Sequence, residues 1–166
     1  MRDYELVEDV QFVDERNVHG RLVSAEAKEL YKSWLENRRD DGLLDASSFT
    51  LENYPKTMRH LAVMDVVDEC RDLRIHSLGS ELTAHYPNAV GKLFSEAAPP
   101  GLFTERTLKI CHAVFATGRV LVNGPTQARF PGLEGFLLEA LYVPMTLTGK
   151  GVERIMIVNV FWAART

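Results

Sequence analysis

The first regular pattern of hydrophobic and polar positions in the chain begins at Ser24. From Ala27 to Leu35 the apolar side chains recur every three or four residues, which places them on one side of an α-helix. Ser24 suits the N-cap because its hydroxyl can accept a backbone N–H of the first turn, and the stretch 40–42 (Asp-Asp-Gly) ends the helix. Residues 1–23 show no sustained period, so we expect a lead segment whose order depends on docking.

The apolar side of this helix carries large side chains that need a cover. Tyr31, Trp34 and Leu35 are among them. The cover is either the protein's own domain or a partner helix, and the pattern is compatible with both. Because aromatic side chains are enriched at protein interfaces, we predict a homodimer that forms through these three residues.

Two apolar runs, 61–67 and 72–78, are separated by four polar or small residues and predict the strands of a hairpin. A short helical piece is expected around 50–58, interrupted by Pro55. Gly79 ends the second strand, and a short helix follows it. We expect glycine there because it accepts backbone angles that a Cβ would make costly.

A longer helix is predicted from Thr104, the expected N-cap, to Gly118, which follows the last periodic residue. Apolar residues occupy much of its circumference, so we expect it to lie across a sheet. Three more strands follow, in 119–130, 136–147 and 152–164.

The last of these strands is apolar on both of its alternating faces, apart from Asn159. This pattern predicts a strand that is paired on both sides and covered on most of both faces. Pro144, in the preceding strand, cannot donate to a ladder, so it must lie at a bulge or at a gap in the pairing. Glu139 interrupts the same apolar strand, and it is either on the solvent face or a lone buried carboxylate.

Composition and charge mainly serve to exclude classes of protein and of binding partner. Hydrophobic residues make up 46% and charged residues 25% of the chain, as in globular proteins. The net charge of -4, without a basic cluster, argues against nucleic acid as a partner. Two cysteines, Cys70 and Cys111, form neither a disulfide framework nor a zinc cluster, which favours a reducing compartment. With no signal peptide and no apolar run of membrane-spanning length, we predict a cytoplasmic protein without membrane insertion.

The order of elements is strand, strand, short helices, long helix and three strands, which is that of a PAS domain. Several segments resemble, in order, those of a bacterial PAS subfamily common in alphaproteobacteria. In that subfamily a Tyr/Trp-bearing helix precedes an acidic loop, the second strand ends in Leu-x-Gly-Thr/Ser, and a Leu-Pro-Leu-like triplet lies in the fourth strand. His76 stands where the subfamily often carries arginine. The similar segments are 30–49, 54–67, 73–82, 89–94 and 142–147.

The resemblance implies an α+β fold with a PAS-like five-stranded antiparallel sheet. Short helices and one long helix would cover one face, and the opposite face would be free to meet other molecules. Residues 1–45 would form an N-terminal segment and a flanking helix, and residues 46–166 the sensory domain.

Six residues are candidates for a ligand pocket. A histidine on the long helix can bind haem in some PAS proteins, which brings in His112, and His76 shares its strand face with the polar Arg74. The others are aromatic or flexible apolar residues, for which core packing is the alternative. The cysteine motif that forms flavin adducts in light-sensing PAS proteins is missing from the sequence. The six candidates are His76, Tyr86, His112, Phe115, Tyr142 and Met156.

No combination of nucleophile, base and orienting group is apparent in the sequence, so we do not predict an enzyme. The resemblance implies a stand-alone PAS-type sensory module without an output domain. Such a module would act through contact with an as yet unidentified signalling protein, and a small ligand would be sensed. Two alternatives stay open. One is a small-molecule-binding enzyme or carrier on a similar α+β fold, and the other is a haem-based sensor.

Overall fold

An open sheet of six strands organises the part of the chain that this computed structural model describes, which is residues 10–12, 22–50, 52 and 54–164. A seventh strand, β2 (Leu44–Asp45), pairs in parallel with the end of one of the six. The six are β1 (Val10–Phe12), β3 (Leu61–Val67), β4 (Asp72–Leu78), β5 (Leu121–Gln127), β6 (Phe136–Thr146) and β7 (Arg154–Ala163). Their order across the sheet is β1-β5-β6-β7-β3-β4, and every neighbouring pair is antiparallel.

The described residues also form five helices, so the predicted α+β class is confirmed, but the predicted number of five strands is wrong because β1 and the short β2 extend the sheet. They are α1 (Ala25–Asn37), α2 (Pro55–Arg59), α3 (Ser80–Thr83), α4 (Phe94–Ala97) and α5 (Leu102–Thr117). Residues of α3, α4 and α5 pack on one face of the sheet, which we name the inner face. Residues of α1 pack on the opposite face, the outer face.

The last strand joins the two halves of the sheet. β7 lies between β6 and β3, which confirms the prediction that this strand is paired on both sides. Because side chains alternate along a strand, Ile155 and Ile157 enter the inner core, whereas Met156 and Val158 enter the outer core. Pro144 is paired with Ile155 of β7, but on the other edge of β6 it lies at a gap in the pairing, as predicted, between Tyr142, which pairs with β5, and Met145, which pairs with β2.

The ends of the helices confirm some sequence signals and correct others. Ser24 caps α1 and Gly118 ends α5 in the left-handed conformation (φ 65°), both as predicted. The long helix begins at Leu102, however, and Thr104 lies within its first turn, where its hydroxyl donates to the carbonyl of Pro99. Pro55 does not interrupt a helix. It starts α2, a position where its missing N–H costs nothing.

Gly79 ends β4 as predicted, but the predicted reason is wrong. Its backbone angles (φ -66°, ψ 158°) are accessible to any residue. A Cβ here would lie 2.2 Å from the carbonyl oxygen of Met58 and 2.3 Å from that of Arg59. Glycine is needed because the end of α2 packs directly against the backbone that leaves β4.

The expectation that the second sheet face is free is wrong, because α1 covers much of it. Tyr31 and Trp34 are only 1% and 6% exposed and contribute to the outer core, together with apolar residues of β5, β6 and β7. The physical reason is visible in the strands themselves. β6 and β7 are apolar on both faces, so each face requires a cover.

Candidate functional site

A groove with a volume of about 550 Å³ lies on the outer face, over the part of the sheet where β3, β4 and β7 meet. Its floor is apolar and comes from three strands, with Leu61 and Val63 on β3, Met145 on β6 and Met156 on β7. This volume falls within the range of about 300–1,000 Å³ that is typical of small-molecule sites.

The walls of the groove come from two parts of the chain. One wall is the loop after β2, with Phe49, followed by the end of α2 with Met58 and Arg59. The other is the end of β4 and the start of α3, from His76 to Ser80. The close approach at Gly79 holds these two walls together at one end, because Gly79 also donates its N–H to the carbonyl of Leu61 at 2.8 Å.

Three charged or titratable side chains form a network at the other end of the groove. Arg154 Nε donates to Asp65 Oδ1 at 2.6 Å, and these residues are register partners on β7 and β3. His76 Nδ1 lies 3.5 Å from Asp65 Oδ2 and 3.4 Å from Arg154 Nη2. The positive charge of Arg154 is therefore already matched by a carboxylate.

Arg59 differs from Arg154 in this respect. Its side chain is exposed along the groove and forms no hydrogen bond or ion pair with any described residue. Glu52, also exposed, is the one acidic residue among the described residues that line the groove. The end of the groove near α2 thus carries a cation that no described side chain neutralises.

The wall formed by α2 is bonded directly to α1. Thr57 Oγ1 donates to Glu29 Oε2 at 2.5 Å. His60 Nε2 lies 3.9 Å from Glu26 Oε1, and His60 Nδ1 is 3.2 Å from the carbonyl oxygen of Asn159 on β7. A displacement of α2 by a bound molecule would therefore act on the polar side of α1.

The start of α1 is held by a buried carboxylate on the sheet. Glu139 is fully buried on β6, and its Oε2 accepts the N–H of Val23 at 2.8 Å. Its Oε1 accepts both the N–H of Ser24 at 2.8 Å and the hydroxyl of Ser24 at 2.7 Å. The same hydroxyl accepts the N–H of Ala27, so the carboxylate and the N-cap form one network. Of the two alternatives predicted for Glu139, the buried carboxylate is confirmed.

A carboxylate suits this position because the N-terminus of a helix carries a partial positive charge and unsatisfied N–H groups. The hydrogen bonds that Glu139 accepts therefore anchor the first turn of α1 to the sheet. The other end of the helix, at the C-cap Arg38, is not held by this carboxylate.

The six predicted pocket residues do not line one common pocket. His76 and Met156 line the groove. Tyr86, Phe115 and Tyr142 pack on the inner face instead, where the ring centroids of Tyr86 and Phe130 are 5.3 Å apart. Burial raises the pKa of both tyrosines.

His112, the residue considered for haem, lies on the exposed side of α5, with its ring centroid 6.4 Å from that of Phe115. Buried apolar side chains pack on the inner face beneath the helices. A cavity there, next to Arg106 and Asn123, measures about 10 Å³, which is room for about one water molecule.

The predicted interface residues are also separated. Tyr31 and Trp34 contact the protein's own sheet, and Trp34 Nε1 donates to the carbonyl of Gly42 at 2.7 Å. Only Leu35 is half-exposed, at 37%. A dimer contact through Tyr31 and Trp34 would therefore require α1 to leave the sheet.

Sequence reasoning missed Arg59, Glu52 and Phe49, which lie in a loop or a one-turn helix where no periodicity identifies a face. The sequence signals for this region were His76, on the same strand face as the polar Arg74, and the flexible apolar side chain of Met156.

Comparison of the chain with protein-family models, with curated proteins and with solved structures gave no match. Among the residues that the structure describes, no group of three or more His, Cys, Asp or Glu side chains could hold a metal ion. No helix in the described ranges is both long and apolar enough to cross a membrane.

Proposed function

We propose that the protein is a PAS-type sensory and regulatory module that acts by contact with other proteins, including a second copy of itself, and takes a small ligand in the groove. The order of hairpin, short helices, long helix and three-stranded meander supports the PAS-type assignment. So does the pairing of β7 with β3, which joins hairpin and meander in one sheet.

The observation that carries the proposal is the direct connection between the groove and α1. Met58 and Arg59 line the groove. Their neighbours in sequence reach α1, since Thr57 donates a hydrogen bond to Glu29 and His60 lies 3.9 Å from Glu26. A ligand that fits the groove better when α2 is displaced would weaken these bonds. Such a ligand shifts the position of α1 only by as much as its affinity differs between the two arrangements.

The displaced arrangement would expose Tyr31 and Trp34 beside Leu35. These residues would then form one apolar and aromatic surface of the kind that protein interfaces favour. The homodimer expected from the sequence is thus proposed for the arrangement in which α1 has left the sheet.

A carrier or an enzyme remains the second candidate because the groove has the size of a small-molecule site. The two candidates differ in α1. A carrier needs the groove but no change at α1, whereas the sensory proposal needs both.

Sedimentation velocity and affinity capture from cell extract test the proposal on three variants. Glu139→Gln weakens the anchor of α1. Glu36→Gln makes the same substitution at an exposed position of α1 and is the control. The double variant Glu139→Gln with Leu35→Glu adds a charge to the surface that α1 would expose. We expect Glu139→Gln to increase dimer formation or the amount of captured partner, and Leu35→Glu to reverse the increase. Equal sedimentation and equal capture for all variants would contradict the proposal.

A further inference from the structure

We propose that the groove on the outer sheet face binds a small amphipathic anion, with a carboxylate at Arg59 and Ser80 and an apolar chain along Leu61, Val63 and Met156. The proposal assigns a ligand class to the sensory function proposed above and rests on that function for its regulatory meaning. The binding itself can be tested alone.

The floor of the groove favours an apolar chain. Leu61 and Val63 share one face of β3, and Met156 lies opposite Val63 on the neighbouring β7. Leu61 and Asp65 are four residues apart, which corresponds to about 13 Å along a strand. An extended chain of ten carbons has a comparable length. Methionine side chains adapt to ligands of varied shape, and Met58, Met145 and Met156 all line the groove.

The charges fix the sign and the orientation of the ligand. A carboxylate near Arg154 would meet the carboxylate of Asp65, which already binds Arg154 at 2.6 Å. A carboxylate near Arg59 meets a guanidinium that no described residue pairs with. Arginine presents several N–H donors in a planar arrangement that matches a carboxylate. The anion therefore belongs at the end of the groove near α2.

Ser80 lies at the same end as Arg59. The adjacent Gly79 is in contact with the backbone carbonyl of Arg59, and both Ser80 and Arg59 line the groove. The hydroxyl of Ser80 can donate a hydrogen bond to the same carboxylate. Glu52, the acidic lining residue, is exposed and so opposes the anion only weakly.

Decanoate is the probe, and decyltrimethylammonium is its control with the same chain and the opposite charge. The methionine methyl groups, labelled with carbon-13, report the position of the probe in an NMR titration. We expect decanoate to shift the signals of Met58, Met145 and Met156, which line the groove. Met64, buried on the inner face, is the internal control and should not shift.

Variants of the charged residues test the orientation. Because an exposed ion pair contributes little, Arg59→Gln should weaken decanoate binding by only about fivefold. Arg71→Gln removes an exposed arginine outside the groove and should leave the affinity unchanged. Glu52→Gln should strengthen binding by about twofold, since it removes the opposing charge. Ser77→Trp, which fills the groove from an exposed position on β4, should abolish binding in a protein whose circular dichroism melt is unchanged.

Three results would overturn the proposal: no shift of the groove methionines with decanoate, tighter binding of the ammonium probe, or equal affinity of Arg59→Gln and Arg71→Gln. Each is distinguishable from failure of the sensory proposal. If α1-dependent dimerisation or capture persists while decanoate fails to bind, only the ligand class is wrong. If decanoate binds but α1 variants show no change in contact, the ligand class stands and the sensory proposal fails.

Discussion

The inner face of the sheet is covered by three helices, and aromatic side chains such as Tyr86, Phe103 and Phe130 pack in its core. On the outer face one helix, anchored at its first turn, covers part of the sheet, and a groove of about 550 Å³ lies over another part. The cavity noted on the inner face measures about 10 Å³. The same strands therefore support a core covered by three helices on one side, and a core covered by one helix beside an open groove on the other.

The largest contrast between the two faces is expected from truncation of their apolar side chains. Phe94 is 1% exposed on the inner face. Its change to alanine should lower the unfolding free energy by about 3–5 kcal/mol, because a large cavity remains. Val63→Ala, in the half-covered floor of the groove, should cost about 1 kcal/mol. Urea denaturation measures both. Equal losses would show that the two faces do not differ in packing.

Thiol chemistry should distinguish the faces nearly as strongly. Burial on the inner face raises the pKa of Cys70 to about 12 and that of Cys111 well above its ordinary value. At pH 8 the thiolate fraction of Cys70 should be about a thousandfold below that of an ordinary cysteine. A cysteine introduced by Ser77→Cys lies in the open groove. Iodoacetamide should label it rapidly and leave the two native cysteines intact, whereas comparable labelling of all three would contradict the closed inner core.

The anchor of α1 should have an intermediate effect. Glu139→Gln replaces one acceptor oxygen by an amide group that faces N–H donors and removes a charge from the helix N-terminus. We expect a loss of about 2 kcal/mol in unfolding free energy. Glu36→Gln, exposed on the same helix, should change it by less than about 0.5 kcal/mol. A Glu139→Gln variant as stable as Glu36→Gln would show that the buried carboxylate does not hold the helix.

The smallest effect concerns the turn between β6 and β7, which belongs to neither face. Glu153 Oε1 accepts hydrogen bonds from Thr146, Leu147 and Thr148, and those from Thr148 contribute most to lowering the pKa of Glu153 from 4.5 to about 2. A carboxyl whose pKa is lower in the folded state stabilises the fold above about pH 4.5, and this contribution disappears as the pH falls towards 2.

Glu153→Gln should therefore lower the urea midpoint slightly at pH 7 and have less effect at pH 3. The wild-type and variant midpoints at the two pH values make the comparison. A difference that stays constant with pH would mean that the charge of Glu153 is not involved.

Five of the seven strands in the described residues could be predicted from the sequence, because each forms an apolar run bounded by turn residues, whereas the short strands β1 and β2 were missed. The hairpin strands 61–67 and 72–78 were predicted with the bounds that the structure has, and the central position of β7 followed from its apolar residues on both faces. The predicted N-cap of the long helix was displaced by three residues, from Gly101 to Thr104, since a proline-rich approach and Gly101 allow the helix to begin earlier.

The site was less predictable because it depends on contacts between distant segments. Glu139 and Ser24 are 115 residues apart, and no local pattern links a carboxylate on a strand with a helix cap. The role of Gly79 was assigned to backbone angles, whereas the requirement comes from the carbonyl groups of α2, which only the folded chain brings close. Tyr31 and Trp34 show the same limit, because an apolar helix stripe does not reveal what covers it.

Hydrogen exchange of the backbone amides in α1 tests most directly whether α1 can leave the outer face while the helices of the inner face stay in place. We predict that Glu139→Gln accelerates exchange throughout Ala25–Asn37 while the amides of α5 keep the rates of the wild-type protein, and that Glu36→Gln changes exchange in neither helix. Equal acceleration of α1 and α5 in Glu139→Gln, or unchanged exchange in α1, would contradict it.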